Sequence, residues 1–492
     1  MRKNVFYLLV LLFFVISCNR EDIQNETPTE LSRKDPLTEK KINERINQSI
    51  KTDGSFKWSK ETDYFLWSAI FRGNRMASIG FGSGMDDFDR SKSPNSADME
   101  KEILSVIKKY EGKGEREFFL SSDKYLNQLD VIIEKEETIT ALRQMKTLRY
   151  LEPGDYRYFE NERKFNTAAK SSGSGSSGCG FSSTPLNAAD YTSSTPSSKI
   201  PWAFSKHNIP QAWNYSTGAG VTIGLIDTGV SPEQTLLGGS FNNGASSGRT
   251  ISKFGVYNGD GSADQCGHGT KMAAVMAAPR NNAGMPVGVA YNANLITYRA
   301  AANVVLDTSA EQDGVKTAFT ELGNNTNVKI ISMSMGHIFS VGKIEDGVKY
   351  AYSKGKLIFC AGGTSTSFTS FVGVIFPAWM PETQAITGVK EDTSNQRCGV
   401  CHSGKQISFT FQMERSSGST VPVLSYYNGQ TDYVGGSSVA TAATAGIAAL
   451  VWSKNLSWTR DQVLTKMRQS ATYSTPDANY GYGNINVLTA VQ

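Results

Sequence analysis

The chain has 492 residues, with 50 Lys+Arg, 46 Asp+Glu, four His and 39% apolar residues. That length and apolar content suit two or three domains with a sizeable core and exclude global disorder. A net charge of +4 with no Lys/Arg cluster excludes a nucleic-acid binder, and six Cys are too few for a disulfide-built scaffold.

Residues 1–200 carry 30 Lys+Arg and 29 Asp+Glu, against 20 and 17 in the longer stretch 201–492. The shift marks a domain boundary near residue 200. At the start, Arg2 and Lys3 precede an apolar run over 5–16. That run is shorter than the roughly 20 residues that span a bilayer, so a secretory signal peptide is expected over 1–17. The ending Val15-Ile16-Ser17-Cys18 resembles a bacterial lipobox, with Val where Leu is usual. The resemblance implies lipidation of Cys18, attachment to the lipid bilayer, and a place in the bacterial cell envelope, periplasmic or outer-surface. The plainer alternative is a signal peptide with an incidental Cys. Polar residues 18–50 then read as a lipid-anchored tether.

Residues 51–160 read as a small α+β unit. Trp58, Tyr64, Trp67 and Phe71 favour folded structure. The spacing of Ile103, Val106, Ile107 and Tyr110 predicts a helix over 100–110, stopped by Gly112 and Gly114. A strand is expected at 131–133, a helix at 138–145 with Ile139 and Leu142 inward, and a strand at 148–151 before Pro153-Gly154. The run from Ala141-Leu142-Arg143 to Leu151-Glu152-Pro153 resembles the end of the inhibitory propeptide of subtilisin-like proteases. It implies that 148–153 lies in a protease cleft as an edge strand, with the following chain passing the active centre. Residues 161–198 are rich in Ser and Gly and read as a linker open to proteolysis, with a cut expected within 156–200.

Residues 199–492 carry mostly apolar runs at 221–226, 329–334 and 356–361. Such runs suit strands buried on both faces, so the fold class expected is α/β, a three-layer domain with a mainly parallel sheet. The first run ends in Asp227-Thr228-Gly229. Cys266-Gly267-His268-Gly269-Thr270 leads into an Ala-rich helical run, with glycines that let backbone pass close to the imidazole. Gly435-Gly436-Ser437-Ser438-Val439-Ala440-Thr441 is a Gly turn feeding a helix, whose first amides suit a developing oxyanion.

These three motifs, in the order Asp, His, Ser, resemble those of the subtilisin-like (S8) serine protease family. The resemblance covers about 195–492 and implies Asp227, His268 and Ser438 as the catalytic triad, with the Ser438 backbone N–H in the oxyanion hole. Ser334-Met335-Gly336 resembles the family segment that binds substrate backbone by strand addition. His337 is expected only to line the cleft. The family strand ending in Ala-Ala-Gly-Asn appears here as Cys360-Ala361-Gly362-Gly363, so Gly363 stands where an Asn side chain donates to the oxyanion. In a subtilisin, loss of that donor costs about 10²–10³ in turnover. Thr364, Ser365 or a water is the candidate substitute. Ala442 and Ala443 replace the usual Pro and His, Lys271 stands where His is common, and 405–414 suggests an extra hairpin strand beside the cleft.

With Cys18 set aside, five Cys remain, so at least one is free or paired outside the chain. Cys360 in an apolar strand reads as a buried thiol. Cys398-Gly-Val-Cys401 has the spacing of a redox dithiol or half a zinc site; with no second ligand pair evident, a local disulfide is expected. No metal site is assigned and no cofactor is required, although Asp260 and Asp264 offer oxygens for a structural calcium. The function expected is endoproteolysis through an acyl-enzyme, with protein or peptide substrates and the chain's own propeptide as partners. One alternative is a weak or inactive subtilisin-like protein that binds peptides, because of Gly363. The other is a non-enzymatic lipid-anchored surface binding protein.

Overall fold

The structure, a computed structural model, describes residues 35–165, 179–364, 373–392 and 396–492. The expected signal peptide, Cys18 and Ser365 lie outside the described residues. The larger unit is built on a seven-stranded parallel sheet. Its order is Ile407–Glu414, Thr383–Lys390, Leu357–Ala361, Val328–Met333, Thr222–Asp227, Asn294–Arg299, Ile251–Gly255. Successive strand residues feed opposite faces. Ile330, Leu357 and Phe359 join the core beneath helices His268–Ala277 and Gly436–Ser453. Ile331, Ile358 and Cys360 join the core beneath Ser309–Asn324 and Gly342–Ser353. The three-layer α/β expectation is met. The chain leaves Thr222–Asp227 toward one sheet edge and returns to Val328–Met333 on its other side. Asp227 and Ser334 thus flank the point where strand order reverses, where α/β sheets form clefts.

Residues 405–414 do not form a hairpin: Ile407–Glu414 is the edge strand of the main sheet, parallel to Thr383–Lys390. Its inward side chains, Phe409, Phe411 and Met413, are buried in the core, which sets its place.

The N-terminal unit has an antiparallel sheet, in order Phe119–Ser122, Gln128–Ile132, Met76–Phe81, Leu148–Pro153. Helices Ser96–Glu111 and Glu136–Arg143 match the expected ones within a few residues. The tether expectation fails over its last part. Glu39–Asp53 is a helix, N-capped by Thr38 and closed by Gly54 with φ +71°. Its Ile42, Ile46 and Ile50 recur every fourth residue and are buried in the unit's core; the charged residues between them hide that stripe in a composition reading.

The linker expectation is also too wide. Tyr158–Phe165 is helical, and the chain rejoins the protease unit at Cys179, disulfide-bonded to Cys266. From there Ser182 donates to Asp432 (2.6 Å) and Thr184 N–H to the Thr431 carbonyl (2.7 Å). Small polar residues are held here by hydrogen bonds and a disulfide rather than by apolar burial.

Leu148–Pro153 does not enter the cleft. It pairs with Met76–Phe81 and faces helix Gly342–Ser353. A Glu152 carboxyl oxygen accepts the Gly342 N–H (2.8 Å), and Asp155 accepts that of Ser309 (2.9 Å). Carboxyl groups of the N-terminal unit thus satisfy the first-turn amides of both helices on that face. Arg149 makes a bidentate ion pair with Asp346, both almost wholly buried. Lys343 reaches across to Asp130 (3.1 Å).

Burial pushes the Glu152 carboxyl up to about 8 from an ordinary 4.5. The docked unit therefore keeps a proton that the undocked unit releases above 4.5. This contribution to docking is complete at low pH and is lost as pH rises through about 8. The N-terminal unit should be held more tightly at pH 6 than at pH 9, measured as its dissociation rate once the chain is cut after Phe165.

Candidate active site

Asp227 ends the central strand and is 1% exposed. Its Oδ1 lies 2.7 Å from His268 Nδ1 and accepts the Thr228 N–H at 2.8 Å. A carboxylate only accepts, so Nδ1 carries a proton and Nε2 is free to act as a base. Burial alone would lower the His268 pKa; the adjacent Asp227 carboxylate outweighs it and the net shift is upward. His268 opens its helix, entered through Gly267 at φ +87°. Gly269 is also required, because a Cβ there would meet the Gly229 carbonyl at 2.2 Å.

Ser438 sits in the first turn of Gly436–Ser453, among the amides with no intrahelical acceptor. It lines the same cleft as His268, of about 390 Å³. No hydrogen bond joins Ser438 Oγ to the ring among the described residues; such contacts commonly tighten only with substrate. The neighbouring Ser437 is buried, accepts the Gly363 N–H (3.2 Å) and shares a hydrogen bond with Thr364 Oγ1 (3.1 Å). Burial and bonding therefore single out Ser438 as the accessible hydroxyl.

Residues 218–483, more than half of the chain, match the family model described as Subtilase family, Peptidase_S8. The thermostable alkaline protease of Halalkalibacterium halodurans is 32% identical, over 61% of this chain and 75% of that protein. Subtilisin E of Bacillus subtilis is 32% identical, over 60% and 71%. Subtilisin of Bacillus pumilus is 31% identical, over 60% of this chain and 99% of that protein. The chain belongs to the subtilase family.

This subtilase is a serine endopeptidase, and its departures from the family pattern now have a geometry. Gly363 has φ +123°, and a Cβ there would meet His402 Nδ1 at 2.5 Å. The space for an Asn side chain is occupied by the His402 ring. Burial lowers the His402 pKa, so the ring is neutral. Its Nδ1 lies 2.8 Å from the Gly373 carbonyl, which can only accept; the proton is on Nδ1, and buried Nε2 has none to donate. His402 is a space-filler and not a replacement oxyanion donor. Gly363→Asn should therefore not raise turnover. It should destabilise the fold by roughly 1–3 kcal/mol, through overpacking and a left-handed φ, read as a lower Tm beside an unimproved kcat.

The structure brings Asp227, His268, Ser438, Gly363, Thr364 and Ser334 to one cleft, with Ser334 Oγ donating to the Ser438 carbonyl (3.3 Å). Gly336 differs from the expectation: its N–H donates to the Val304 carbonyl (3.0 Å) and its carbonyl accepts from Leu306 N–H (3.2 Å). At Gly336, both backbone groups expected to bind substrate are already paired within the chain. His337 lines the cleft as expected, its ring 4.0 Å from Phe339 and its pKa lowered to about 3 by burial. Cys398 and Cys401 form the expected local disulfide, and Cys360 is free and buried.

Sequence reasoning missed two supports of the site. Asp264, read as a calcium oxygen, is buried and accepts from Thr228 Oγ1, Cys266 N, Gly267 N and both donors of Thr270, at 2.6–2.9 Å. It clamps the His268 loop to the end of the Asp227 strand. Its position four residues before His268 is the only sequence signal. Lys271, in place of a usual His, pairs with Asp432 (2.8 Å), which also accepts from Ser182. This binds the 179–184 segment beside the imidazole. Among the described residues no three His, Cys, Asp or Glu side chains gather as a metal site.

Proposed function

We propose that Ser438 is the nucleophile, His268 the general base and Asp227 the residue that orients it. The Asp227–His268 contact of 2.7 Å, with Ser438 on the same cleft, carries this reading. Ser438 Oγ attacks the scissile carbonyl as its proton passes to His268 Nε2. That proton then goes to the leaving amine as the C–N bond breaks. Water, deprotonated by the same nitrogen, hydrolyses the acyl ester. The Ser438 N–H faces the developing oxyanion. Thr364, which lines the cleft and whose hydroxyl accepts the Ser437 N–H at 3.2 Å, is the proposed side-chain partner in place of the missing Asn. A fluorophosphonate probe tests the assignment. Labelling should survive in Ser437→Ala and vanish in Ser438→Ala; labelling that persists in Ser438→Ala rejects it.

Residues 35–165 act, on this reading, as an inhibitory propeptide. The helix caps from Glu152 and Asp155 and the buried Arg149–Asp346 pair support it as a docked unit. Phe159 and Cys179, on either side of the expected cut, both line the cleft that holds Ser438, which supports cutting by the chain's own active site. Helix Tyr158–Phe165 and the Cys179 disulfide narrow the expected cut to 166–179. N-terminal sequencing should find a chain starting there in wild type and none in Ser438→Ala. An uncut, fully active wild type would reject maturation. The lipobox-like ending supports a mature precursor acylated at Cys18 and held on the bacterial envelope. Cutting then frees the protease from the bilayer once the propeptide leaves. Loss of membrane fractionation in Cys18→Ser is the expected result.

A further inference from the structure

We infer that the N-terminal unit inhibits by clamping the substrate slot shut, without inserting a strand into it; this rests on the reading of that unit as a propeptide. A peptide that adds as a strand along 334–336 needs backbone N–H and C=O groups of that segment. At Gly336 both groups are taken by Val304 and Leu306, and Val305 stands directly opposite as a parallel pair. At the next residue, His337 exchanges both backbone bonds with Phe376, at 3.0 Å each. The chain is therefore paired on one edge at Gly336 and on the other at His337, and an extended substrate must displace 304–306 before it can bind at Gly336.

The seam has two rims, and the N-terminal unit holds both. On one rim, the Asp307 carboxylate accepts the N–H groups of Phe159 (2.9 Å) and Glu160 (2.8 Å). Val305 of that rim packs against the unit's apolar core. On the other rim, Ile338 and Phe339 are buried within that same core. The Phe339 ring lies 5.4 Å from Phe56 and 5.8 Å from Trp58. Phe159 links the rims in one residue: its backbone is held by Asp307, and its ring sits 5.2 Å from His337. Among the described residues no strand of the unit lies between the rims; its sheet edge Leu148–Pro153 faces helix Gly342–Ser353 instead. Two backbone hydrogen bonds are a modest net contribution, so the seam depends on the aromatic and carboxylate contacts that bracket it. Departure of the unit removes all of them together and frees the 304–306 edge to move aside for substrate.

Hydrogen exchange on the full-length Ser438→Ala chain, resolved to single amides, tests the clamp. The Gly336 and Leu306 amides should be protected. In Phe159→Ala and, separately, in Asp307→Asn, both should exchange at least tenfold faster, with strand Val328–Met333 unchanged as the internal control. Asp307→Asn preserves shape and one acceptor oxygen, so it decides the matter if Phe159→Ala loosens the whole fold. Unchanged exchange at both amides in both variants overturns the clamp, because the seam would then belong to the protease unit alone. Whether residues 35–165 leave after cutting is read separately by native mass. A unit that stays bound refutes the propeptide reading, while the exchange result still stands for or against the clamp.

Discussion

Ser438→Ala should lower peptide turnover by about 10⁶, the magnitude known for the nucleophile of a subtilisin. The loss is this large because the hydroxyl and the imidazole act as one unit: without Oγ, the proton that His268 is held to accept is no longer offered. Residual turnover should come from the Ser438 amide and the cleft alone, which the variant leaves intact. Ser437→Ala is the informative contrast. It removes the acceptor of the Gly363 N–H and the partner of Thr364, two hydrogen bonds, so a loss of about 10–10²-fold is expected. Comparing kcat/KM for the two variants distinguishes them. Equal losses would mean that Ser437 shares the chemistry, against its burial and its bonds.

The proposed triad was legible because each member sits in a local pattern dictated by backbone sterics. Asp227 needs a strand end, His268 needs glycines where side chains would strike the neighbouring chain, and Ser438 needs a helix start. The parallel sheet was legible from apolar runs for the same reason, since both faces are buried. What escaped depends on contacts distant in sequence. The occupied space at Gly363 comes from His402, 39 positions on, and nothing near Gly363 announces it. The closed seam at Gly336 comes from Val304 and Leu306, which no sequence motif joins to Gly336. The helix Glu39–Asp53 was hidden by composition, although its isoleucine spacing and its Thr38 and Gly54 caps were present to be read. Cys179 and Cys266 could not be paired from the sequence, because their separation of 87 residues carries no geometric signal.

Arg149→Met should weaken docking of the N-terminal unit by about 3–5 kcal/mol, or roughly 10²–10⁴-fold. The guanidinium donates two bonds to Asp346, and the exposures of the two side chains, 3% and 1%, leave water no part in the pair. Methionine fills most of the volume and leaves Asp346 buried without its ion-pair partner. Burial already raises the Asp346 pKa with Arg149 present. Without the arginine the carboxyl can escape the penalty only by taking a proton, so the defect should shrink as pH falls. The double variant Arg149→Met/Asp346→Leu removes both charges and should recover most of the loss, because an apolar replacement of a buried pair is often neutral. The Gly342 amide reports the outcome. It is bonded to Glu152 only while the unit is docked, so its hydrogen exchange in the uncut Ser438→Ala background measures undocking. Exchange should rise about 10²–10⁴-fold in Arg149→Met, provided the native amide opens by undocking, and return to within about tenfold of the parent in the double variant. An unchanged rate in Arg149→Met would mean that the ion pair repays only its own desolvation and that the aromatic contacts at Phe339 hold the unit by themselves.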